Sequence, residues 1–111
     1  MSEQIHIQET APDKRKELVK GLRERGIDSK EVREALDVWT IEQEKKVEAA
    51  GRTPEARIGF EIERAKLYAE GGFIDEALNT LDDALYLTQE EGVGLLERKI
   101  RQEIAIIEGM E

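Results

Sequence analysis

Apolar residues return every three to four positions along most of this chain, and glycines separate one run from the next, so the pattern predicts helices and no strands. A first helix is expected from Pro12 to near Gly26, with a narrow stripe of Leu18, Val19 and Leu22. A second opens at Asp28-Ser29-Lys30-Glu31, where Asp28 or Ser29 can accept from exposed amides and Glu31 can reach back to them, and it stops at Gly51. Its stripe is Val32, Ala35, Leu36, Trp39, Gln43, Val47 and Ala50, polar only at Gln43. Thr53-Pro54-Glu55 supplies a cap, a fixed first turn and a favourable charge for a third helix from Pro54 to Glu70. That helix has one stripe at Ile58, Ile62, Ala65, Tyr68 and Ala69 and a second at Phe60 and Leu67, which predicts two packed neighbours. The fourth, Ile74 to Glu91, carries Ile74, Ala77, Leu78, Leu81, Ala84, Leu85 and Thr88 on its inner side. The fifth follows Gly92 and Gly94 with Leu96, Ile100, Ile104 and Ile107, and with Leu95 and Ile106 beside that stripe. Short links make consecutive helices antiparallel, so the expected fold is all-α, with about five amphipathic helices.

With 111 residues the chain suits a single domain, set here at 12–111, behind a flexible leader at 1–11. Mean hydropathy of -0.60 and the absence of a long apolar run argue against a membrane span. The first residues, MSEQIHIQETAPDK, lack a basic segment followed by an apolar one, so the expected compartment is the cytoplasm. With no cysteine, disulfides and thiolate metal sites are excluded. The net charge of -9 is uneven: residues 1–53 hold eleven Lys/Arg against twelve Asp/Glu, and residues 54–111 hold six against fourteen, giving -1 and -8. No basic residue lies between Leu67 and Glu97. Such a surface repels phosphate and attracts a basic partner.

Catalytic chemistry finds few candidates. His6 is the sole histidine and stands in the leader, away from any helical carboxylate, so the Glu-x-x-His pairs of carboxylate-bridged metal bundles are missing. No strand precedes a glycine-rich phosphate loop. Asp82 and Asp83, and Glu90 and Glu91, are adjacent in sequence and therefore diverge on a helix. Ser29 is accounted for by capping. The reading is of a non-enzyme without metal or cofactor.

The stretch from Ala65 to Leu85 breaks two helical stripes at Gly71-Gly72 and restarts them at once. Both glycines can adopt backbone conformations costly to other residues, which reverses the chain, and Ala65, Ala69, Ala77 and Ala84 let the two helices approach. Ala65, Tyr68, Gly72, Ala77, Leu81 and Ala84 fall at the spacing of a tetratricopeptide repeat, so residues 58–91 resemble one degenerate unit of that family. Glu61, Arg64 and Gln89 occupy that family's tryptophan, leucine and proline positions, and Ile62 is a candidate to fill the aromatic's space. No second copy flanks the unit, so the second and fifth helices are expected to cover it. The resemblance implies a non-catalytic adaptor or scaffold that binds a peptide or helix on the inner face of the first helix of the pair. Carried over by position, that face offers Gly59, Ile62, Lys66, Ala69 and Glu70. Only Lys66 is basic there, which disfavours capture of a terminal carboxylate. An apolar helix or a basic segment is the better partner, and Asp75 and Asp82 join Ile62, Lys66, Ala69 and Glu70 as candidate partner-binding residues.

The alternative is a nucleic-acid-associated regulator. Residues 14–25 include Lys14, Arg15, Lys16, Lys20, Arg23 and Arg25, and residues 17–36 faintly resemble the helical modules of RecX recombination regulators. Glu31, Glu34 and Asp37 disfavour phosphate contact by the following helix. Trp39 is expected to pack between helices. A homodimer is expected if Trp39, Phe60, Leu67 and the fifth helix remain uncovered.

Overall fold

A computed structural model describes the backbone of residues 2–110 and the side-chain surroundings of residues 14–110. Five helices and no strands occur among the described residues: α1 (Ser2–Arg25), α2 (Lys30–Ala49), α3 (Pro54–Glu70), α4 (Ile74–Glu91) and α5 (Gly94–Glu108). The bounds of α3 and α4 are those expected from the sequence. The α1 helix starts ahead of Pro12, because Pro12's fixed φ suits a helix and Glu3, Gln4, Gln8, Glu9 and Ala11 before it are good helix formers. The side chains of the expected leader, His6 among them, lie outside the described residues.

Local chemistry sets the turns. Thr53 caps α3 by accepting from the Ala56 amide at 3.1 Å, with Pro54 in the first turn. At the start of α2 Ser29 holds the cap position but makes no side-chain cap bond, and Glu31 reaches Arg25 instead of the cap amide. The capping box expected there is not formed, because an arginine one turn upstream competes for the carboxylate. Gly72 reverses the α3–α4 link in the left-handed region, at φ 92°. Gly71 differs from expectation: it is right-handed, with φ -78° and ψ -3°, and it is needed for space. A Cβ there would stand 2.7 Å from Leu22 Cβ of α1.

Packing divides into two clusters that share α3. On one side Ile58, Ile62, Ala65 and Ala69 bury against Ala77, Leu81 and Ala84 of α4 and Ile100 and Ile107 of α5. On the other, Leu67 joins Leu18 and Leu22 of α1 and Val32 of α2, with Trp39 and Phe73 packed at the edge. The two stripes of α3 thus have two sets of neighbours. Contacts run between consecutive helices and also between α1 and α3 and between α3 and α5, whereas α2 and α4 make no close backbone contact. The odd helices therefore form one layer and the even helices a second, splayed layer. The radius of gyration, 14.9 Å, exceeds the roughly 13 Å of a sphere-like domain of this length, as a flat two-layer stack requires.

Candidate functional site

The outer face of α4 is built by spacing alone. Asp75, Asn79, Asp82, Asp83, Tyr86 and Glu90 recur at three- and four-residue steps opposite the buried row of Ala77, Leu81 and Ala84, and all six are exposed. Tyr86 stands in the middle with 64% of its surface exposed, and a hydrogen bond to Glu90 pushes its phenol above the ordinary value. Among the described residues Asp75, Asp82, Asp83 and Glu90 are in no ion pair. At the C-terminal end Glu91 is partnered by Arg57 of α3, 3.6 Å away.

The odd-helix layer presents a different surface. Arg15 of α1 grips Glu70 of α3 through both guanidinium nitrogens, at 3.0 and 2.5 Å, and Lys66 of α3 lies 3.8 Å from Glu103 of α5. Hydrogen bonding from Arg15 draws the Glu70 carboxyl below its ordinary value, and Lys66 and Arg23 add to that attraction. Charges on this layer therefore neutralise one another across three helices.

The candidate residues do not gather at one place. Ile62 and Ala69 are core, 2% and 3% exposed, against α4 and α5. Lys66 and Glu70 lie on the odd-helix layer in the pairs just described. Asp75 and Asp82 lie together on the outer face of α4. The apolar patch expected from Trp39, Phe60 and Leu67 is absent, because Leu67 is fully buried and Trp39 and Phe60 are half-buried against each other, with ring centroids 6.1 Å apart. The exposed large apolar residues are instead Val38 and Ile41 of α2, Tyr86 of α4, Leu95 and Ile106 of α5, and Met110. Val38 and Ile41 escaped the sequence pattern because they stand off the stripe that packs α2 onto its neighbours.

Glu61 and Arg64, the two departures from the repeat pattern, meet as a pair. Arg64 Nη2 is 2.6 Å from Glu61 Oε1, and the guanidinium sits over Phe60, 5.4 Å from its centroid. The approach is ionic without hydrogen-bond alignment, so Glu61 Oε1 and Arg64 Nε are buried without a hydrogen-bond partner. Burial raises the Glu61 carboxyl above its usual range, more strongly than Arg64 lowers it.

A larger concavity of about 810 Å³ opens between α1 and α2, with Leu18, Gly21, Val32, Ala35, Val38 and Trp39 on its lining. Among the described residues no group of three or more His, Asp or Glu side chains is arranged to hold a metal ion, and no helix is long and apolar enough to cross a membrane. Compared with protein-family models, curated proteins and solved structures, the chain matches none.

Proposed function

We propose that this protein is a non-catalytic interaction module, an adaptor or scaffold whose α3–α4 hairpin acts as a tetratricopeptide-like unit covered by α2 and α5, and that it recruits a basic protein segment to the outer face of α4. The observation that carries the reading is the row of unpaired carboxylates, Asp75, Asp82, Asp83 and Glu90, around exposed Tyr86. Carboxylates at helical spacing suit lysines or arginines at the same spacing, and a tyrosine ring among them offers a cation a flat face. The two-layer stacking of odd and even helices supports the tetratricopeptide-like part. The odd-helix layer is the poorer docking face, since Arg15–Glu70 and Lys66–Glu103 already satisfy its charges.

The test is a fluorescence titration with a labelled Lys/Arg-rich helical peptide at low salt, beside an acidic peptide of equal length. Binding is expected to be confined to the basic peptide. Reversing charge with Asp82→Lys and Asp83→Lys should weaken it by about tenfold, or 1.4 kcal/mol. Equal affinity for both peptides, or no response to the reversal, refutes the assignment. The alternative, nucleic-acid regulation through residues 14–25, is weakened because Lys14, Arg15 and Arg25 are already partnered by Glu42, Glu70 and Glu31. A salt-dependent affinity for DNA or RNA in the same assay would favour it.

A further inference from the structure

Gly21 brings α1 and α2 together, since a Cβ there would stand 3.3 Å from Val32 Cγ2. Beside that crossing lies the open groove floored by Leu18, Val32 and Trp39. Along its α2 wall Ala35, Val38 and Ile41 are all exposed and form a ridge at three-residue spacing, with Val38 and Ile41 each 52% exposed. Ridges of this kind pack into the grooves of another helix. The groove therefore has its own natural filling, the ridge of an identical helix.

Charge selects that occupant. Residues 54–111 carry six Lys/Arg against fourteen Asp/Glu, so two copies repel one another through α4. Residues 14–53 carry eleven against nine, so this part alone presents both signs in near balance. The groove's rims show the same mixture, Lys20 and Lys46 with Glu17 and Glu24, which suits a self-complementary contact and gives no preference to a strongly charged stranger. Antiparallel pairing of α2 about a two-fold axis at Val38 sets Ala35 against Ile41 of the other copy. Each end then gains Glu31 opposite Lys45. It also leaves Glu34 facing Glu42, one like-charge contact in each half.

We infer that two copies of this chain associate through α2, with Val38 on the two-fold axis, each seating its Ala35–Val38–Ile41 ridge in the other's α1–α2 groove. The contact is independent of the α4 face and leaves it free in both copies.

Because the chain has no cysteine, Val38→Cys introduces one thiol that meets its own copy at the axis. Mild oxidation should convert it to a disulfide-linked dimer, as the bridge needs Cα atoms within about 7 Å. Ile106→Cys on α5 should remain uncoupled. Sedimentation velocity of the unmodified chain should give a species of twice 12.7 kDa at micromolar concentration. Val38→Lys should raise the dissociation constant at least tenfold, and Glu34→Lys should lower it by turning the Glu34–Glu42 repulsion into attraction. Circular dichroism verifies that the variants fold, and Glu34→Lys, at an exposed site, carries the test by a gain if Val38→Lys does not. Three results overturn the inference: a monomer at every concentration, a dimer indifferent to Val38→Lys and Glu34→Lys, or coupling through Ile106→Cys in place of Val38→Cys. The first leaves the groove to a foreign helix, and the last moves the interface to α5.

Discussion

Gly71 and Gly72 are neighbours that are glycine for different reasons, and substitution separates them. Alanine at Gly71 drives a methyl group into Leu22, which is 1% exposed and has nowhere to retreat, so Gly71→Ala should destabilise the fold by about 1–3 kcal/mol in urea denaturation. Alanine at Gly72 meets open space but must hold φ near 92°, a strain of about 1–2 kcal/mol. A stable Gly71→Ala variant would show that α1 is not held against α3. The ionisable residues make predictions of opposite sign. Glu70's folded pKa is depressed, so the stability it contributes is present above its ordinary value of 4.5 and is lost as pH falls through the lower folded value. Glu70→Gln should therefore cost up to about 1 kcal/mol at pH 7, the size of an exposed pair, and nothing in strong acid. Glu61's folded pKa is raised, so its protonated form favours folding below its ordinary value and that benefit disappears as pH rises through the folded value. Arg64→Leu removes the counter-charge. It should cost about 1–3 kcal/mol at pH 7, from a buried carboxylate left unpaired, and much less at pH 4.

At the scale of elements, α3 is the wall between two clusters, and its ends are defined by its own residues. Thr53→Ala should cost about 1 kcal/mol through loss of the cap to Ala56, whereas Ser29→Ala should cost little because Ser29 makes no side-chain cap bond. Thermal denaturation of the two variants side by side checks the contrast, and equal losses would show that cap position alone matters. The helices of the α3–α4 hairpin were legible because Thr53-Pro54, Gly72 and Gly92 punctuate them unambiguously. The extension of α1 ahead of Pro12 was not, since proline permits either a first turn or a helix interior with one bond missing. The fate of Ser29 was equally hidden, since it depends on which partner wins Glu31.

At the scale of the whole molecule, the clusters are unequal. The α3–α4–α5 side buries nine hydrophobic residues, while the α1–α2 side buries Leu18, Leu22 and Val32 against the single residue Leu67 of α3. Hydrogen exchange should therefore find α4 amides opening only with global unfolding and α2 amides opening earlier. Uniform protection would mean that the two clusters unfold as one. The sequence by itself determined the helices, the two-sided burial of α3 and the acidic outer row of α4, because each follows from residue spacing on a helix of known period. The tertiary structure alone decided which stripes end up covered. Ile62 and Ala69 became core when α5 returned to α3, Leu67 vanished beneath α1, and Val38 and Ile41 stayed uncovered because nothing in the described chain crosses the outer side of α2. A helix's spacing says which residues share a face, but what lies opposite that face is set by the path of the rest of the chain.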